Sequence, residues 1–394
     1  AMGYFKVKGE TVMIRILALM MLPLTANAQV AQGPANADFA PAFAQQVRAP
    51  ALPQTSVTVT VFAQGLDRPW GIAPLGQDQF LVTERSGSLR LVNGDGSVSR
   101  PLSGLPDVAA EGQGGLLDVA VSPDFINDRT IFWTYAKSVR GGLVTAAARA
   151  TLTTDGRLTD VADIFVQDNP ARNGRHFGSR IIPMLDGTVW ITTGDRGAGD
   201  GGTLVQDITT THGKVIRVTA DGSVPADNPF VGREGNDLVW SLGHRNIQGA
   251  AIGPDGLWTI EHGPRGGDEL NRPQAGLNYG WPTVSYGINY RGSDIGEGVA
   301  SAPEFEEPVY YWDPVIAPGG MMFYDGPYAE WQGDLLIASL NPGALVRLKL
   351  RDGLVVGEER MLTDAGRIRD VEVLADGAVL VLLDAGEILR VTPN

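Results

Sequence analysis

From Val57 to the C-terminus the sequence keeps one texture: short apolar runs broken by Gly, Asp, Asn or Pro about every ten residues. No long stretch carries helical periodicity. Two elements recur within this texture. One is a strand of the form G-x-h-x-R-h, where h is apolar, at 213–218, 343–348 and 386–391 and, one residue shorter, at 87–91. The other is a D-G turn followed by a strongly apolar strand, at 186–191 (DGTVWI), 255–260 (DGLWTI) and 376–381 (DGAVLV). A D-G pair suits a hairpin turn that needs positive φ. An apolar strand, a turn and a G-x-h-x-R-h strand are what two inner strands of a propeller blade would give. Units of this kind cannot bury their faces alone, so they must stack. Residues 55–394 are therefore expected to be all-β: a six-bladed β-propeller of four-stranded antiparallel blades, roughly 55 residues per blade. A pair of β-sandwiches or a β-helix is the alternative.

The first residues read differently. Met13 opens a segment with Arg15 as a short positive region, 16–24 as an apolar run and Ala26-Asn27-Ala28 as an A-x-A cleavage site, the pattern of a secretory signal peptide. The apolar run is shorter than the ~20 residues of a spanning helix; a buried or anchoring helix is the other reading. Residues 1–12 precede the expected start and are assigned no structure. Residues 29–54, rich in Ala, Pro and Gln, read as a flexible leader. The mature protein is expected to be periplasmic or secreted, with no membrane span. It contains no cysteine, so no disulfide and no cysteine-type zinc site supports the fold. Lys and Arg number 31 against 45 Asp and Glu, a net charge of −14 that disfavours nucleic acid and anionic membranes. That balance suits a protein that gathers divalent cations, or serves solubility alone.

Five segments break the blade rhythm with polar residues. Residues 111–117 (EGQGGLL) form a Gly-rich turn in which Gln113 offers donor and acceptor to a sugar hydroxyl, or a plain bulge. Residues 175–180 (RHFGSR) carry His176, a general base if held over a channel, or a surface histidine. Residues 242–249 (LGHRNIQG) hold Arg245, able to stabilise developing negative charge, and Asn246, or an arginine pinning a loop. Residues 261–271 (EHGPRGGDELN) join a Gly263-Pro264 turn, whose carbonyls suit calcium, to the carboxylates of Asp268 and Glu269, or form a long solvated loop. Finally Arg367 and Arg369, at i and i+2 of a strand, share one face and suit a multi-carboxylate anion, or pair with Asp370.

Taken together and in this order, the segments resemble the soluble pyrroloquinoline quinone (PQQ)-dependent glucose and aldose sugar dehydrogenases, from about Val57 to Asn394. The specific pieces are Gly243-His244-Arg245-Asn246 with Gln248-Gly249, Gly263-Pro264, Asp268-Glu269, Asn278-Tyr279-Gly280-Trp281-Pro282 and Arg367-x-Arg369-Asp370. The short loops are nearer the aldose sugar dehydrogenase branch. The resemblance implies a six-bladed propeller that binds PQQ and calcium. It implies that His176 takes the proton from the anomeric hydroxyl, Arg245 stabilises charge on the quinone oxygen and Gln113 orients the sugar. Asn246, Arg367 and Arg369 would hold PQQ. The carbonyls of Gly263 and Pro264 would bind one calcium, and Glu269 with the carbonyl of Tyr279 a second.

Three departures stand out. The family's glucose dehydrogenases place an acidic residue before the catalytic histidine; here it is Arg175, which leaves sugar preference open. Where they place a lysine on a PQQ carboxylate this chain has Asn341, so weaker cofactor retention is expected. Residues 310–318 (YYWDPVIAP) resemble the family's Trp-Pro-Ala-Pro segment with altered spacing. The expected partners are aldoses and an external electron acceptor, a periplasmic cytochrome or a quinone. A calcium-dependent lactonase or hydrolase, and a non-catalytic propeller that binds a glycan or protein, are the competing functions.

Overall fold

A computed structural model describes residues 28–76, 78–197 and 202–394. The expected signal peptide, apart from Ala28, lies outside them. The described residues form six antiparallel sheets, the six blades of a propeller. The innermost strands, in blade order, are Pro69–Gly76, Leu116–Val121, Ile181–Pro183, Ile247–Gly253, Pro318–Phe323 and Ile368–Val373. The recurring elements are the second and third strands of their blades: Thr188–Thr192 pairs with Lys214–Thr219, and Val379–Leu383 with Glu387–Pro393. The ring closes where Val57–Gln64 supplies the outer strand of the sixth blade by pairing with Glu387–Pro393. Five blades have four strands. The first has three, and residues 97–102 take the fourth place irregularly, with Ser99 N donating to Leu91 O and Leu102 N to Leu89 O. Helix among the described residues is confined to Phe125–Asp128 and Thr203–Gln206, and no helix is long and apolar enough to cross a membrane.

The apolar core lies in the seams between neighbouring blades, because each sheet is apolar on both faces. Trp258, Leu270, Met321 and Ile337 fill the seam between blades 4 and 5, and Leu81, Leu116 and Trp133 that between blades 1 and 2. The axis is polar. Arg180 sends Nη1 to Asp118 Oδ1 and to Asp370 Oδ2, both at 3.0 Å, and Nε to Gln248 O at 2.7 Å. Gly320 makes room for this cluster, since a Cβ there would come within 1.6 Å of Asp370 Oδ1.

Register shifts interrupt five of the innermost strands, at 69–72, 116–119, 247–249, 318–321 and 368–370. A bulge leaves a residue out of the ladder and re-aims its side chain. Trp70, Asp118, Gln248 and Arg369 are such residues, and all four line the axial cavities.

The segment expected as a flexible leader is instead a strap. Val47 bridges in parallel to Tyr311 on the outer strand of blade 4, and Ala51 to Glu358 on that of blade 5. Gln46 is fully buried: its Nε2 donates to Pro308 O and Glu307, and its Oε1 accepts from Ala42 N and Tyr286 Oη. The composition suggested disorder because these bonds are made by backbone and by partners some 260 residues distant. Covering two open sheet edges is the physical gain. Gln46→Leu would strand several buried polar groups, so urea unfolding should show a loss of roughly 1–3 kcal/mol; a free leader would show none.

Candidate active site

In an up-and-down blade, the connections from strand 2 to strand 3 and from one blade to the next all reach the same face. Gln113, His176, Arg245 and Arg367 come from connections between blades, and Arg85, Gly263, Leu340 and Asp384 from connections between strands 2 and 3. Together they line one axial cavity of about 320 Å³, with Asn246, Arg369, Gln248 and Trp70. The sequence-predicted Gln113, His176, Arg245, Asn246, Arg367 and Arg369 are thus brought together.

His176 is held on three sides. Its backbone lies in the left-handed region (φ 47°), an uncommon conformation for a side chain of this size. Its backbone N donates to Gln113 Oε1 at 2.8 Å. Its Nδ1 lies 2.6 Å from Asp195 Oδ1. The other oxygen of Asp195 accepts from Trp281 Nε1 at 2.9 Å, and Gly197 N donates to Oδ1. Burial would raise the Asp195 carboxyl, but the His176 bond and charge and the Arg245 charge outweigh it and hold it below the usual range. An ionised Asp195 only accepts, so Nδ1 carries the proton and Nε2 keeps its lone pair. Burial also pushes the His176 pKa down, helped by Arg245 and opposed by Asp195.

The rest of the lining is cationic. Arg367 and Arg369 share the carboxylate of Asp384 at 2.8–2.9 Å. Burial lowers the pKa of Arg369, which Asp384 opposes and Arg367 and Arg180 deepen; Arg85 is lowered by burial and by Arg369. Arg245 Nη1 donates to the carbonyls of His262 and Gly263 at 2.9 and 3.0 Å, while its buried Nε has no hydrogen-bond partner among the described residues. Four guanidiniums against one shared carboxylate fit a ligand with several negative charges.

Beside it lies a gap of about 10 Å³ lined by Arg245, Glu261, Gly263, Glu269 and Tyr279, room for one water or ion. Glu261 is satisfied by His244 Nδ1, Arg245 N and Asn271 Nδ2. Among the described residues Glu269 has only a long contact to Asn271 (3.4 Å), and burial, then the charge of Glu261, push its carboxyl well up. A buried and a half-buried carboxylate side by side, short of a counter-charge, fit a cation.

Two expected site residues are placed elsewhere. Asp268 points to backbone: Oδ1 accepts from Gly263 N at 2.8 Å, and Oδ2 from Ile316 N at 2.8 Å and Ala317 N at 2.7 Å. It shapes the Gly263-Pro264 turn rather than facing the gap. Asn341 is exposed at the rim and is not part of the cavity wall, whereas its neighbour Leu340 is. The sequence reading also missed Asp195, Arg85, Asp384 and His262. Each follows the apolar second strand of a blade, in the turn that leads to the third.

A six-bladed propeller with a buried imidazole–carboxylate pair and a guanidinium-rich axial pocket defines the class. The family model of glucose/sorbosone dehydrogenases matches residues 66–390, and the chain belongs to that family of oxidoreductases. It is 41% identical over 353 residues to the aldose sugar dehydrogenase YliI of Escherichia coli, covering 86% of this chain and 94% of that one. The structure is similar to that of the soluble aldose sugar dehydrogenase of Escherichia coli in its apo-form (TM-score 0.82, 39% identity, 86% of this chain and 100% of that one). It is also similar to the PQQ-bound aldose sugar dehydrogenase of Streptomyces coelicolor (TM-score 0.72, 28% identity, 87% and 100%).

With burial depressing it, the His176 imidazole should titrate below the usual ~6.5 and be neutral at pH 7. Proton NMR over a pH series, with the His176 signal assigned by its loss in His176→Gln, checks this; a titration above 6.5 would contradict the geometry.

Proposed function

We propose that this exported protein oxidises the anomeric carbon of aldoses to lactones, with PQQ and calcium bound in the axial cavity. The observation that carries the reading is the convergence of one oriented imidazole and four guanidiniums on one axial pocket of small-ligand size. Arg367, Arg369 and Arg85 would hold the carboxylates of PQQ, with Asn246 bonding an oxygen. The carbonyls of Gly263 and Pro264 would hold one calcium, and Glu269 with Tyr279 a second. Bound PQQ would supply an electrophilic quinone that takes the hydride from the sugar carbon, and calcium would polarise it.

The remaining work falls to the chain. His176 Nε2 accepts the proton of the anomeric hydroxyl. Asp195 fixes the required tautomer and stabilises the imidazolium that forms. Arg245 offers positive charge to the oxygen on which negative charge develops. Gln113 orients the sugar hydroxyls while holding the backbone of His176. An external electron acceptor completes the turnover. The signal-peptide pattern of residues 13–28 supports a periplasmic or secreted location. A calcium-dependent lactonase or hydrolase would have no use for a guanidinium cluster that suits a multiply charged anion, and Arg367, Arg369 and His176 in one pocket favour the dehydrogenase.

The test supplies PQQ and calcium to the purified protein, adds an aldose panel and follows reduction of an artificial dye. His176→Ala and Asp195→Asn are each expected to lower kcat by about 10²–10⁴-fold with little change in PQQ binding. No dye reduction by the wild type on any aldose, with no quinone absorbance retained, would refute the proposal. Asn341→Lys places a cation beside Leu340 at the mouth and is expected to tighten PQQ in direct titration; unchanged affinity would show that the rim does not reach the cofactor.

A further inference from the structure

We propose that the N-terminal strap, through Asn36, positions the Gly263–Gly267 turn of the axial cavity; only the calcium arm of its test rests on the function proposed above. The turn is built from residues with little side chain to fix it, and its neighbours must do so. Asp313 is 3% exposed, and its carboxylate packs against Gly266, where a Cβ would come within 2.6 Å of Asp313 Oδ1 and the backbone has φ 76°. Gly267 N donates to Trp312 O at 2.8 Å.

That buried carboxylate is hydrogen-bonded from the strap. Asn36 N lies 2.9 Å from both of its oxygens, Asn36 Nδ2 lies 2.7 Å from Oδ1, and Ala37 N lies 2.9 Å from Oδ2. Among the described residues, all of its hydrogen bonds come from Asn36 and Ala37. The same Asn36 reaches the turn directly, because its Oδ1 accepts from Arg265 Nε at 2.9 Å. Arg48, further along the strap, donates to Asp313 O at 2.8 Å.

The far side of the turn is tied to the same stretch of chain. Asp268 bonds Gly263 N with one oxygen and the amides of Ile316 and Ala317 with the other. The segment 312–317 is therefore clamped between strap and turn. Asn36→Ala keeps the backbone donors to Asp313 but removes the Nδ2 bond to it and the Oδ1 acceptor of Arg265, so the side-chain link between strap and turn is lost and the turn should loosen while the blades stay in place.

Asn36→Ala is compared with Thr55→Val, which loosens the other end of the strap where Thr55 bonds Glu359 on blade 5. Amide hydrogen exchange of the apo-protein reads the turn, and calcium titration reads the site. Asn36→Ala should speed exchange at Arg265 and Gly267 about tenfold or more and weaken calcium several-fold. Thr55→Val should lower the melting temperature but leave both readouts at wild-type values. Arg265→Met, which breaks the contact from the turn's side and leaves the strap's sequence intact, should act in the same direction as Asn36→Ala. Equal exchange at the turn in Asn36→Ala and Thr55→Val would overturn the proposal. Faster exchange in Asn36→Ala, with no calcium binding by any form including the wild type, would support the strap's role and remove the calcium reading instead.

Discussion

The ring depends on a buried arginine at its axis. Arg180 opens the innermost strand of blade 3, yet it bonds Asp118 of blade 2, Asp370 of blade 6 and the Gln248 carbonyl of blade 4. It stacks 4.5 Å over Trp70 of blade 1, and its Nη2 lies beside Gly320 of blade 5. Asp370 Oδ2 also accepts from Ile72 N of blade 1, and Asp118 Oδ2 from Ile181 N. One guanidinium thus touches every blade. Seams between blades fix neighbours only, so small errors of angle would accumulate around six of them. A charged hub removes that freedom, because a buried ion pair broken on one side costs several kcal/mol. Burial raises the Asp118 carboxyl to about 6 despite Arg180, so the hub is held under electrostatic load.

The same hub sets the depth of the site. It divides the channel into the cationic cavity of about 320 Å³ and a larger, mostly apolar one of about 640 Å³ that opens on the other face. Gln248 connects hub and site: its carbonyl takes Arg180, and its Oε1 meets both Arg369 and His262 at 3.1 Å. The bulges that expose Gln248 and Arg369 to the axis are therefore the local device by which a structural ring becomes a binding cavity.

The fold was legible because propeller blades repeat the same two-strand pattern, and sequence repetition reports stacking without any knowledge of contacts. Four polar segments were legible because they lie between blades, where a regular connection would be short and plain. Asp195, Arg85 and Asp384 were hidden just after the second strand of their blades, at the start of the connections to the third. There a polar residue before glycine looks like ordinary turn chemistry. Topology alone sends those turns to the same face as the connections between blades, so the repeat itself marks their positions. Asp268 shows the limit of such reading: acidic residues beside a Gly-Pro turn suggest a metal, but backbone amides compete for the same oxygens, and here the amides of Gly263, Ile316 and Ala317 take them. The strap was unreadable, since Asn36 and Gln46 are bonded to residues more than 200 positions away.

Two opposite imbalances lie side by side in this site. Arg85, Arg245, Arg367 and Arg369 carry more positive charge than Asp384 offsets, while Glu269, beside the fully bonded Glu261, faces a gap with too few donors. Each would be costly to hold unpaired in a water-poor interior. Arg245 borders both, which partly balances them; its guanidinium faces carbonyls, and its Nε has no partner among the described residues. On the proposed reading, an anionic cofactor and a cation each relieve a strain that the other's absence leaves in place. Their binding would then be coupled through the local field. The net charge of −14 does not oppose this, because a pocket walled by protein is governed by the charges that line it rather than by the distant, screened surface.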